Sequence, residues 1–310
     1  MGSDPITKEL QRAERKTHSC SMEKRMKIGL IQIGANEEKE KSLALAEEYI
    51  TNTAKSGADI IMLPEMFNCP YNTKNFPVYA EPEGGPSWKR MSEAARTCGK
   101  YLIAGSMPER DPEGKVYNTS YVFGPDGKQL SKHRKMHLFD IAVKGGQHFR
   151  ESETLTAGDD VTVFDTEFGR FGVMICYDIR FPELSRLMAL RGAKMIFVPA
   201  CFNMTTGPAH WELAFRSRAL DNQVFMAGCA QARQNSGYIS YGHSIITSPW
   251  GDVLGQMDER EGCMIREIDL SQVERVREEL PLLMQRRKDV YTVSQRDRST
   301  DSVESRGQVH

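Results

Sequence analysis

Gly57-Ala58-Asp59-Ile60-Ile61-Met62-Leu63-Pro64 is answered further along the chain by Gly192-Ala193-Lys194-Met195-Ile196-Phe197-Val198-Pro199. In both stretches a glycine precedes a run of apolar residues that a proline closes, the pattern of a short buried strand. Two further likenesses follow in the same order. Tyr101-Leu102-Ile103-Ala104-Gly105 resembles Val224-Phe225-Met226-Ala227-Gly228, and Pro125-x-Gly127-x-x-Leu130 resembles Pro249-x-Gly251-x-x-Leu254. Glycine and proline are ordinary punctuation between strands, so each match alone means little. Three in one order, at similar separations, imply two related halves.

Outward from these runs, the halves read alike. An apolar strand (27–33; 171–176) precedes an amphipathic helix (39–56; 182–191), and the quoted runs supply the second strand. Another helix, a third strand and a hairpin with the Pro-x-Gly turn complete each half. Alternating strands and helices imply right-handed crossovers and largely buried sheets. The helices are too few to cover both faces of two sheets, so the sheets are expected to pack face to face with helices outside. That is an α/β fold, a four-layer α/β/β/α sandwich with an approximate internal two-fold. It is expected to span 26–291. Residues 1–25 mix both charge signs without an apolar run and read as a disordered extension, and 292–310 read as a flexible tail.

With Lys+Arg 41 and Asp+Glu 42, the 310-residue chain has a formal net charge of −1. A protein that coats nucleic acid would be strongly basic, so that class is disfavoured. The longest apolar stretches, such as Met195 to Phe202, fall far short of the roughly 18 residues of a membrane span. Seven cysteines, an odd number, lie far apart with no C-x-x-C pair. Neither a disulfide framework nor a zinc ribbon fits; reduced thiols in the cytoplasm do. His133 and His137 are four apart, but they fall in an expected strand flanked by cations, so no metal site is expected. Gly84-Gly85 and Gly145-Gly146 lack a phosphate-binding pattern, and no cofactor is implied.

Ligands of such sheets collect beyond the carboxyl ends of the strands. Glu65, Lys135 and Cys176 each close an expected strand there. Taken singly, a glutamate is a solvated turn residue, a lysine in a basic run a solvated face, and a cysteine a core filler. Cys98, Cys229 and Cys263 keep that last reading, while Cys69 and Cys201, in loops near strand ends, compete with Cys176. Together the three residues make chemical sense. A thiol of pKa about 8.5 needs a base or a nearby cation at neutral pH. A carboxylate can take its proton and return it to a leaving amine, and an ammonium can stabilise a tetrahedral oxyanion. Acyl transfer from an amide or a nitrile needs nothing more.

Leu63-Pro64-Glu65, Arg134-Lys135-Met136-His137 and Ile175-Cys176-Tyr177-Asp178-Ile179-Arg180-Phe181-Pro182-Glu183 resemble the Glu-Lys-Cys motifs of the nitrilase superfamily, the carbon-nitrogen hydrolases. The likeness runs from about Met26 to Tyr291 and is closest to the omega-amidase branch. That placement rests on Asn68-Cys69-Pro70-Tyr71-Asn72-Thr73-Lys74, on His137-Leu138-Phe139-Asp140-Ile141 and on the stretch from Phe202 to Glu212. The resemblance implies the sandwich fold, a homodimer or larger assembly, and hydrolysis of short dicarboxylate monoamides such as 2-oxoglutaramate and 2-oxosuccinamate through a cysteine thioester. It implies Glu151 as a second glutamate orienting Lys135, and the backbone N–H of Tyr177 as an oxyanion donor. Arg180 matches a carboxylate-binding arginine, and Phe202, Thr206 and Tyr71 match pocket positions. Alternatives at this stage are a sibling amidase, for example one acting on deaminated glutathione, and a catalytically silent binding scaffold. Phe202 as core and Thr206 as a helix cap are the simpler readings of those two residues.

Overall fold

The repeated apolar runs become the middle strands of two mixed sheets. The structure, a computed structural model, describes residues 25–144, 147–234 and 237–296. Most of the expected extension, the end of the expected tail and Gly145-Gly146 lie outside the described residues.

In the first sheet β1 (Arg25–Gln32), β2 (Ile60–Met62) and β3 (Tyr101–Ile103) run parallel. α1 (Lys39–Lys55) and α2 (Pro86–Cys98) make the crossovers. Buried Leu43, Ala46 and Ile50 recur at helical spacing on α1, giving it one apolar face. α2 starts with Pro86 in its first turn and stops at Gly99 in the left-handed region (φ 61), as proline and glycine favour. Antiparallel β4 (Met107–Arg110), β5 (Val116–Phe123) and β6 (Gln129–Arg134) extend this sheet beyond β3. β7 (Asp140–Ala142) and β8 (His148–Arg150) form a separate hairpin.

The second sheet runs β14-β13-β12-β11-β10-β9. Its strands are β9 (Val163–Thr166), β10 (Gly169–Val173), β11 (Met195–Ala200), β12 (Phe225–Ala230), β13 (Ile245–Thr247) and β14 (Val253–Gln256). β10, β11 and β12 are the parallel core, with α3 (Pro182–Leu190) and α4 (Gly207–Asn222) as crossovers. β15 (Gly262–Asp269) then returns to the first sheet, pairing antiparallel with β1 from Arg25↔Asp269 to Gln32↔Gly262. α5 (Ser271–Glu279) follows.

Both sheets thus have three parallel strands flanked by antiparallel ones. Matching glycines sit in matching conformations: Gly57 and Gly192 precede β2 and β11 with φ of 90 and 92, and Gly127 and Gly251 turn their hairpins with φ of 78 and 89. Only glycine enters that region without strain, which is why the sequence repeats them.

Alternating side chains divide between cores. Ile60 and Met62 of β2, with Met195 and Phe197 of β11, join one cluster built from both sheets. Ile61 of β2 turns the other way, to Ile50 and Met91 of α1 and α2. Ile196 and Val198 of β11 meet Met188, Trp211 and Phe215 of α3 and α4. The period of two along a strand produces this division.

Three expected strand ends fall short. β2 stops at Met62, β6 at Arg134 and β10 at Val173, so Glu65, Lys135 and Cys176 sit in the connections beyond them rather than closing the strands. Cys176 instead opens a 3₁₀ turn, Cys176–Arg180, with φ 47. A residue with positive φ cannot continue an extended strand.

Candidate active site

The connection after β2 is pinned by the chain after β3. Gly105 has φ 52, and a Cβ on it would stand 2.1 Å from the Pro64 carbonyl oxygen. Ser106 returns its N–H to that oxygen (3.2 Å) and accepts the Met66 N–H on its hydroxyl (3.0 Å). From the second sheet, Gln231 Nε2 donates to the Glu65 carbonyl oxygen at 2.8 Å. Glu65 is therefore held at its backbone from both sheets.

Its side chain is fully buried, as are Lys135 and Glu151. Lys135 follows β6, its N–H donating to the Asn118 carbonyl at 2.8 Å. Lys135 Nζ lies 2.9 Å from Glu65 Oε1 and 2.9 Å from Glu151 Oε1. Asn118 Nδ2 (2.8 Å) and the Tyr71 hydroxyl (3.3 Å) also donate to Glu65 Oε1. Tyr71 donates more closely to Glu151 Oε1, at 2.7 Å, and the Phe139 N–H holds Glu151 Oε2 at 2.7 Å. Glu65 Oε2 is buried and has no hydrogen-bond partner among the described residues. A buried carboxylate oxygen without a donor is costly, and it marks where a proton can be accepted.

Cys176 neighbours that carboxylate, close enough for the two groups to shift each other's pKa. Burial first, then the Glu65 charge, push its thiol pKa well above the ordinary value, while Lys135 and a backbone hydrogen bond from Cys201 pull it down. Burial raises Glu65 as well; Lys135 opposes and Glu151 adds to the rise. Burial alone would lower Lys135, but the charges of Glu151 and Glu65 prevail and hold it well above its ordinary value. Burial thus favours the neutral thiol of Cys176, and the two glutamates favour the ammonium form of Lys135. Such a set can transfer a proton only as the sulfur attacks.

Residues 27–278 match the family model described as carbon-nitrogen hydrolase. The chain belongs to that family. It is 49% identical over 273 residues to the omega-amidase NIT2 of Xenopus tropicalis, covering 88% of this chain and 99% of that protein. The human omega-amidase NIT2 is 47% identical over 268 residues, 86% of this chain and 97% of its own. Among solved structures, Saccharomyces cerevisiae Nit3, a member of branch 10 of the nitrilase superfamily, superposes with a TM-score of 0.78. It is 41% identical, over 85% of this chain and 97% of that one.

In this carbon-nitrogen hydrolase, a small pocket of about 10 Å³ lies over Cys176, lined by Phe139, Tyr177, Arg180, Cys201, Phe202 and Thr206. The N–H of Tyr177, turned by the positive φ of Cys176, has no acceptor among the described residues. Arg180 lies over the rings of Phe202 (4.8 Å) and Tyr177 (5.7 Å), and its only polar side-chain contact among the described residues is His210 Nδ1, at 3.0 Å. Burial lowers its pKa. Among the described residues no carboxylate is within ion-pair distance of it. Phe202 is at once core, edge-on to Trp211 at 5.0 Å, and platform for Arg180. Thr206 precedes α4 without a side-chain cap; its hydroxyl donates to Asn203 Oδ1 at 3.0 Å.

Tyr71 stands apart from that pocket. Its hydroxyl is on the two glutamates, and its ring lines a neighbouring cavity of about 400 Å³ with Phe149 and Tyr238. Of the competing thiols, Cys69 is buried among Met66, Tyr71 and Phe76, and burial raises it strongly. Cys201 does reach the site, through its backbone and its place in the pocket wall.

Two participants went unassigned in the sequence. Asn118 sits on β5, where every residue is buried, and a polar side chain in a fully buried strand was the available signal. Asp178 was in plain view beside Cys176, and His133 and His137 both point at it (3.1 and 2.8 Å).

Proposed function

We propose that this chain is an omega-amidase-like hydrolase, releasing ammonia from the terminal amide of short dicarboxylate monoamides such as 2-oxoglutaramate and 2-oxosuccinamate. The observation that carries the reading is the buried set of Lys135, 2.9 Å from both Glu65 and Glu151, with Glu65 Oε2 left without a hydrogen-bond partner among the described residues, near Cys176. Its near-full-length identity to proteins named omega-amidase supports the substrate class.

Cys176 Sγ attacks the amide carbon while Glu65 Oε2 takes the thiol proton. The oxyanion so formed is met by Lys135 Nζ and the Tyr177 N–H. Glu65 passes its proton to the leaving nitrogen, ammonia departs, and a thioester remains. Water then attacks the thioester, giving one proton to Glu65, and collapse returns that proton to the thiolate as the carboxylic acid leaves and ionises in the solvent. Glu151 keeps Lys135 aimed, and Tyr71 ties the two glutamates together. Arg180, lacking a carboxylate partner among the described residues, receives the distal carboxylate of the substrate in a bidentate pair. Phe202 and Thr206 form the wall beside it.

The same reading takes the shared pairing pattern and the matched glycines as a four-layer α/β/β/α sandwich with an approximate two-fold, forming one hydrolase domain over 26–291. Six free cysteines among the described residues support a reducing, cytoplasmic setting. No helix of the described residues is long and apolar enough to cross a membrane. Exposed apolar side chains on α4 support a homodimer.

The deciding experiment is ammonia release across a panel of 2-oxoglutaramate, 2-oxosuccinamate, asparagine, a longer peptide-like monoamide and a simple nitrile. Preferred turnover of the two oxo-acid monoamides is expected. Turnover of the longer amide with none of the short ones would replace this substrate class with that of a sibling amidase.

A further inference from the structure

We propose that Asp178 is a positioning residue that sets the reach of Lys135 toward Cys176, by binding His133 and His137 on one side and the peptide preceding Cys176 on the other. The proposal rests on the catalytic reading of Cys176 and Lys135 given above.

The carboxylate is fully buried and accepts four hydrogen bonds. Oδ2 accepts from the Ile175 N–H at 3.0 Å and faces His133 Nε2 at 3.1 Å. Oδ1 accepts from the His137 N–H at 2.9 Å and faces His137 Nδ1 at 2.8 Å. A carboxylate offers about four acceptor directions, and all of them are used. Its partners bracket the reacting groups in sequence. His133 and His137 stand two residues either side of Lys135, and Ile175 immediately precedes Cys176. One anion therefore joins the lysine connection to the cysteine turn.

Neither ring is free to drift. His133 Nδ1 lies 2.9 Å from Thr162 Oγ1, so rotating that ring would break contacts at both nitrogens. The His137 ring stacks on Phe181, centroids 3.7 Å apart and 8° from parallel, and Phe181 ends the 3₁₀ turn. The turn also holds Cys176 at φ 47. A non-glycine residue persists there only when its surroundings over-determine it, and the bond to the Ile175 N–H is part of that restraint.

Asp178 does not line the pocket over Cys176, so it touches no reacting atom. Its influence runs through geometry, and small displacements of a preorganised oxyanion donor are expensive. A shift near 1 Å costs on the order of 10²-fold in rate.

The test uses His137, whose side chain is partly exposed, in the full-length enzyme. In His137→Asn the side-chain amide takes the place of Nδ1 and can still donate to Asp178; in His137→Leu it cannot. Both lose the stack on Phe181, so the pair isolates the hydrogen bond. The expected result is a kcat about 10- to 100-fold lower for His137→Leu, with KM within about two-fold and His137→Asn near wild type. Thermal unfolding should give both variants a melting temperature close to that of the wild type. Asp178→Asn should fall further, because its amide nitrogen must face donors. Wild-type kcat in His137→Leu would overturn the proposal. So would a loss matched by a lower melting temperature, which is ordinary destabilisation, or His137→Asn failing equally. Turnover by Cys176→Ala would instead remove the catalytic reading beneath it.

Discussion

The two oxygens of Glu65 have opposite surroundings: Oε1 takes three donors and Oε2 takes none among the described residues. Glu65→Gln should therefore fold, since the amide oxygen can occupy the Oε1 site, yet be severely impaired because it accepts no thiol proton; steady-state ammonia release measures this. Cys176→Ala should abolish turnover, while Cys69→Ala and Cys201→Ala keep most of it. An acyl adduct found by mass spectrometry on Cys69 or Cys201 would reverse that assignment. Lys135→Met should lose about 10²–10³-fold in kcat, the range for a missing oxyanion donor. The acid limb follows from burial, which raises Glu65 above the usual carboxylate range. As pH falls through that raised value the base becomes protonated and activity is lost. The acid limb of kcat/KM should stand clearly above the free-glutamate value of about 4.3, and a limb at or below it would contradict the role. Arg180→Lys should weaken productive binding of a carboxylate-bearing amide by about 1.5–3 kcal/mol in kcat/KM, as a two-pronged contact becomes a point charge.

At the scale of elements, the strand-to-loop connections carry the chemistry and store the strain. Gly105→Ala would force a Cβ against the Pro64 carbonyl in a left-handed backbone, at a cost of about 1–3 kcal/mol for the conformation alone. A lower melting temperature with kcat reduced by displacement of Glu65 is expected; an unchanged melting curve would show that the loop yields freely. The strands themselves were legible because apolar runs between glycine and proline have few alternatives, and α1, α2 and α3 because their faces repeat. What escaped was handedness and partnership. Nothing in Met174-Ile175-Cys176 announces that the third residue turns to φ 47, since the sequence pattern reports burial and not backbone sign. The spacing of His133 and His137 was visible, but their common partner lies 41 residues beyond His137, and only the tertiary fold brings it near. Tyr71 was expected at the pocket; that its hydroxyl ties the two glutamates together was not legible, because the direction of a loop side chain is not written in its neighbours.

For the whole molecule, Leu213 and Leu220 lie two turns apart on α4, and the Trp250 turn abuts Leu220. All three are exposed, Leu213 to 64% and Trp250 to 50%. An exposed apolar patch on a helix face is a common mark of a protein–protein contact, so light scattering should give at least twice the 35.1 kDa chain mass. Leu213→Glu should shift it toward the single chain; a single-chain mass for the wild type would refute the assembly. A different consequence follows from β15, where the chain leaves the second sheet after β14 and pairs along all of β1. On the ribosome, β1 emerges among the first strands and waits for almost the entire polypeptide before its edge is covered. Nascent chains stalled before residue 262 would present an open, apolar strand edge to one another, the situation in which edge-to-edge aggregation begins. Translation speed over the final strand and helix thus becomes part of how safely this enzyme is made.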